Sequence, residues 1–74
     1  MITEIGIAAG DIWHFLDKHG RVSLDDLIIG IERPRELVLM SLGWLARENH
    51  VLVEYDNDCY TINLKVKEKE EELR

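Results

Sequence analysis

Leu37-Val38-Leu39-Met40-Ser41-Leu42-Gly43-Trp44-Leu45-Ala46 is almost wholly apolar, and its reading decides the fold. Leu, Met and Ala favour helix, and strands of this length are uncommon, so the stretch reads as a helix around which the rest packs. Pro34 suits its first position, where a missing N–H is harmless, and Asn49 suits a left-handed residue closing it after Glu48. Because the stretch is apolar almost all round, its period leaves two placements of Trp44 open, in the core or on an interface. With Val38, Ser41, Leu42 and Leu45 turned inward, the outward face carries Leu39, Met40, Gly43, Trp44 and Arg47, with Glu36 at its start.

Upstream, Thr3 is a candidate cap for a helix running to His19, with Gly20 as its stop. On a helical wheel Ile5, Ala8, Ala9, Ile12, Trp13, Phe15, Leu16 and His19 form one arc, opposite Asp11, His14, Asp17 and Lys18. Gly6 and Gly10 lie four apart inside this helix, a spacing that suggests a closely approaching backbone. Arg21-Val22 is extended in character. Ser23 then caps a second helix, with Asp26 three residues on, Leu24, Leu27 and Ile28 as its buried stripe, and Gly30 as its end.

Downstream, Val51, Val53 and Tyr55 alternate with Leu52 and Glu54, Asp56-Asn57-Asp58 reads as a turn, and Tyr60, Ile62 and Leu64 alternate with Cys59, Thr61 and Asn63. Helix, short strand, helix, turn, helix and hairpin is the order of an α+β winged helix-turn-helix domain: three helices, a short strand between the first two, and a C-terminal hairpin as the wing. Residues 1–64 are expected to form this domain, and 65–74 a charged C-terminal tail.

Ile5-Gly6, Ala9-Gly10-Asp11-Ile12-Trp13, Leu16 and Gly20, and more specifically Leu42-Gly43-Trp44-Leu45-Ala46-Arg47-Glu48-Asn49, resemble the small prokaryotic winged helix-turn-helix proteins grouped as a domain of unknown function. The resemblance spans roughly residues 3–64 by the same element reading. It implies the fold and a link to DNA-binding regulators, and brings no catalytic or binding residues with it.

Composition narrows the function classes. The 74 residues are 46% hydrophobic and 32% charged, enough to bury one core. One cysteine, Cys59, gives neither a disulfide scaffold nor a cysteine-based zinc site, and no neighbouring cation marks it as a reactive thiol. His14, His19 and His50 do not cluster, Asp56-Asn57-Asp58 lacks the rest of a calcium loop, and no phosphate loop or nucleophile motif appears. A non-enzyme without metal, cofactor or small-molecule substrate is expected. With no positive leader and no apolar run of bilayer length, the expected setting is the cytoplasm, away from membranes.

Of the formal charge of −6, the tail contributes nothing, since its four cations balance its four glutamates, so residues 1–64 carry all the net acidity. Such a body repels phosphate backbones unless its cations converge. The cations available to duplex DNA are Arg33, Arg35, Arg47, Lys65, Lys67 and Lys69, with Glu32 and Glu36 interleaved among the first two. Readers of this fold place polar side chains on the third helix. Here that face is apolar, and Leu39, Met40, Gly43 and Trp44 read as a protein interface, with a second copy of the chain as the first candidate partner and DNA binding as the alternative.

Overall fold

A computed structural model describes residues 1–65. The chain forms α1 (Ile2–His19), β1 (Val22–Ser23), α2 (Leu24–Ile31), α3 (Arg35–Arg47), β2 (Val51–Asp56) and β3 (Cys59–Leu64). The strands make one antiparallel sheet in the order β1-β3-β2. This is the expected helix-turn-helix with a hairpin wing, and the two-residue β1 stitches the link between α1 and α2 onto the wing. Lys67, Lys69 and the rest of the expected tail beyond Lys65 lie outside the described residues.

Each helix presents one apolar face to a common core. Ala9, Ile12 and Leu16 of α1, Leu27 of α2, Val38, Leu42 and Leu45 of α3, Val51 of β2 and Ile62 of β3 are buried together. Ile62 sits on the central strand between Val22 and Val53, so one side chain closes the sheet over the helices. The most extensive helix pairing is α1 on α3. Ala8 and Ala9 of α1 and Ser41 of α3 are all shut off from solvent. The Ser41 hydroxyl has no hydrogen-bond partner among the described residues, and an orphaned buried polar group costs about 1–3 kcal/mol.

Local chemistry explains the punctuation. Ser23 Oγ accepts the Asp26 N–H at 3.1 Å, capping α2 as expected. Gly20 stops α1 with φ of 78°, a conformation that side chains disfavour. Asn49 closes α3 with φ of 69°, and the Asn49 and His50 N–H groups donate to the Ala46 and Leu45 carbonyls, a Schellman termination. The wing tip turns on Asn57 and Asp58 alone, both at positive φ, which is the two-residue hairpin turn that matches strand twist. Asp56 belongs to β2 and not to the turn.

Thr3 does not cap α1: it lies inside the helix, which begins at Ile2 behind Met1, whose ammonium pairs with Glu4 at 2.9 Å. That contact holds the Glu4 carboxyl below its usual range. Pro34 stands just before α3 rather than as its first residue, its carbonyl accepting the Val38 N–H. Gly30 does not end α2. The helix runs on to Ile31, and Glu32 adopts the left-handed conformation, with φ of 61°. Gly30 is instead a packing residue, because a Cβ there would overlap the Phe15 ring of α1.

Nor do Gly6 and Gly10 mark a close approach: among the described residues a Cβ at either would meet nothing within 4 Å. Gly10→Ala gains about 1 kcal/mol of helix propensity. Gly30→Ala has to swing the half-buried Phe15 ring aside and therefore stabilises less than Gly10→Ala. Paired thermal melts of the two variants check that order.

Candidate protein interface on the third helix

The inward set of α3 is Val38, Ser41, Leu42 and Leu45, the four buried residues of the helix, which fixes its rotation. Everything else on the middle of α3 therefore faces solvent. Leu39 is 37% exposed, Met40 44% and Trp44 48%, and Gly43 and Arg47 are exposed with them. Trp44 is thus on the surface and not in the core. Its ring lies 6.4 Å from His50 and forms one wall of an apolar hollow of about 320 Å³ shared with Ile2, Ile5 and Gly6 of α1.

On the other flank of α3, Leu39, Gly43 and Ala46 face Val53 and Tyr60 of the wing across an apolar groove of about 390 Å³. The wing residues were not part of the sequence-derived site. The period of two along each strand puts Val53 and Tyr60 on one sheet face, but which helix they border depends on the tertiary placement of the hairpin. Gly43 borders the groove and Trp44 the hollow, and among the described residues a Cβ at Gly43 would meet nothing within 4 Å. An exposed cluster of Met, Leu and Trp of this kind is typical of interface cores and unusual elsewhere on a surface.

The cations do not converge beside this face. Arg33 is turned away, its Nε donating to Asp11 Oδ2 of α1 at 2.6 Å. This pair, more than a third exposed on both sides, is worth at most about 1 kcal/mol, and its effect is to tie the turn before α3 to α1. Arg35 shares a cleft with Asp25 and Asp58. Lys65 donates from Nζ to Asn49 Oδ1 at 3.1 Å. Arg47 is exposed and makes no ion pair among the described residues. Arg21 is drawn to the wing instead, 3.4 Å from Glu54 and 3.3 Å from Thr61 Oγ1.

Residues 1–64 match the family described as Winged helix-turn-helix domain (DUF2582). The chain belongs to this family. It is similar to uncharacterized protein MJ1608 of Methanocaldococcus jannaschii, with 35% identity over 68 residues that span 88% of this chain and 96% of that protein. Among solved structures it is similar to protein BT2368 from Bacteroides thetaiotaomicron, determined by solution NMR, with a TM-score of 0.75 and 32% identity over 84% of this chain and 76% of that one. The family assignment and this neighbour agree on the fold, a winged helix with no function attached to it.

The remaining candidate residues of this winged helix have ordinary surroundings. His19 packs on Phe15 at 4.3 Å between ring centres, and His14 stands edge-on to Trp13 at 5.6 Å. Cys59 is exposed on the wing. Among the described residues no helix is long and apolar enough to cross a membrane.

At the wing tip the Tyr55 hydroxyl donates to Asp58 Oδ1 at 3.1 Å, while the Tyr55 and Tyr60 rings pack at 4.6 Å across the strands. The hydrogen bond to the carboxylate raises the Tyr55 pKa above the usual tyrosine value. With the folded value raised, the stabilisation is complete below the unfolded tyrosine pKa and is lost as pH climbs through the folded one. Asp58→Asn should therefore lower the Tyr55 titration midpoint, read by ultraviolet absorbance in a Tyr60→Phe background.

Proposed function

We propose that this winged helix is a non-catalytic binding module that uses the outward face of α3 for protein association, with a second copy of the chain as its partner. The observation that carries the reading is the exposed set Leu39, Met40 and Trp44 on the surface where a DNA-reading winged helix carries polar side chains. Leu and Met can touch thymine methyls but offer no hydrogen-bond readout. A two-fold pair is the commonest soluble assembly, and a domain this small gains much from sharing apolar surface.

Duplex DNA is the competing partner, and the electrostatics favour it less. Arg33 is occupied by Asp11, Arg35 lines a cleft with Asp25 and Asp58 without pairing with either, and the wing tip presents Asp56 and Asp58 where the phosphate backbone would run. Arg35 and Arg47 are the exposed arginines of α3, and neither makes an ion pair among the described residues.

Sedimentation equilibrium on the full chain tests the proposal. A concentration-dependent dimer is expected, weakened at least ten-fold by Trp44→Ala, since aromatic residues at the centre of an interface dominate its energy. A monomer at every concentration up to the high micromolar range, together with salt-dependent binding to random duplex by fluorescence anisotropy, would replace this reading with the nucleic-acid one.

A further inference from the structure

The crest of α3 has a pattern that the apolar face alone does not explain. Glu36, Met40, Gly43 and Arg47 are all exposed, and their spacings of four, three and four set them on one line along the outermost side of the helix. The line is antisymmetric in charge and in shape about its middle. Glu36 ends it on one side and Arg47 on the other, while a protruding Met40 is followed by a vacant Gly43. The two charges are about 16 Å apart along the helix, too far to pair within it.

We propose that two copies of the chain pair through antiparallel α3 helices about a two-fold axis beside Ser41 and Leu42. Glu36 of each copy meets Arg47 of the other, and Met40 of each enters the gap at Gly43 and Trp44 of the other. This register rests on the association reading given above and specifies it. In an antiparallel pair centred there, the level of residue 36 coincides with that of residue 47 in the second copy, and the level of residue 40 with that of residue 43. Met40, Gly43, Trp44 and Arg47 stand in the i, i+3, i+4, i+7 relation that forms a hole on a helix surface, and the facing Met40 supplies the knob.

The glycine keeps that hole deep. Among the described residues nothing fills the space over Gly43, although glycine there costs about 1 kcal/mol of helix propensity relative to alanine. A shallow crossing of about 20° keeps both charge pairs within reach over this length. The parallel alternative sets Glu36 on Glu36 and Arg47 on Arg47, and a duplex would bring phosphates onto Glu36. The same two-fold axis brings the two Trp44 flanks together, which covers the hollow that Ile2 and Ile5 share with Trp44.

Charge exchange in the full chain tests this register. Sedimentation equilibrium is run on Glu36→Arg alone, on Arg47→Glu alone and on an equimolar mixture. Each variant alone should dimerise at least ten-fold more weakly than the unsubstituted chain, because both cross-pairs become like-charged. The mixture should recover most of the affinity, because every cross-pair between unlike chains is again of opposite sign.

Both substitutions oppose the α3 dipole, so thermal melts accompany them. A second variant of an exposed residue, Met40→Cys in a Cys59→Ser chain, should form a disulfide-linked dimer under mild oxidant, whereas Lys18→Cys in the same background should not. Variants that dimerise as tightly as the unsubstituted chain, a mixture that shows no recovery, or a Met40→Cys chain that stays uncrosslinked would overturn the register while leaving association itself standing. An unsubstituted chain that is monomeric throughout would overturn both.

Discussion

The packing of Val38, Ser41, Leu42 and Leu45 against α1 and the sheet is the constraint from which the rest of the molecule follows. A helix that is apolar on nearly every side has no intrinsic inward face, and packing on α1, its most extensive helix neighbour, selects one. Once that rotation is set, Leu39, Met40 and Trp44 have nowhere to go but the surface, and the wing and the start of α1 can only flank them. The apolar outer face is thus a consequence of how the core is built.

Electrostatics act on the same scaffold in a different way. Arg33 and Arg21 are each engaged by a carboxylate of the same chain, Asp11 and Glu54. These contacts are weak as stability terms because they are largely exposed. Their effect is geometric: one ties the turn before α3 to α1, and the other ties the link before β1 to the wing. These two arginines brace the helix-turn-helix, and residues 1–64 keep a net acidity.

Much of this architecture is legible in the sequence because it is written in local chemistry. Ser23 three residues before Asp26, Asn49 after a long apolar run, and alternation on both sides of Asn57-Asp58 each name an element end by a hydrogen bond or a backbone conformation that few residues supply. The inward set of α3 is legible from its period and its C-terminal turn. Glycines mislead: Gly30 looks like a helix stop, but its role is to make room for Phe15, and Gly6 and Gly10 look like contact points but face open space. A missing side chain records only an absence, and what fills or leaves that absence is decided by residues distant in sequence.

The candidate site is legible only in part for the same reason. Leu39, Met40, Gly43 and Trp44 can be listed from the helix period, whereas the groove wall of Val53 and Tyr60 and the hollow of Ile2 and Ile5 exist only once the wing and α1 are docked. The engagement of Arg33 by Asp11, twenty-two residues away, is equally invisible to spacing.

Whether the outer face of α3 is covered by a second copy is most directly read from Trp44 itself. Trp13→Phe leaves Trp44 as the one tryptophan of the chain, and its emission and acrylamide quenching can be followed across a dilution series. Self-association predicts a blue shift and loss of quencher access as concentration rises, with a midpoint matching the dimer dissociation constant. Emission that stays red-shifted and fully quenchable at every concentration would contradict it.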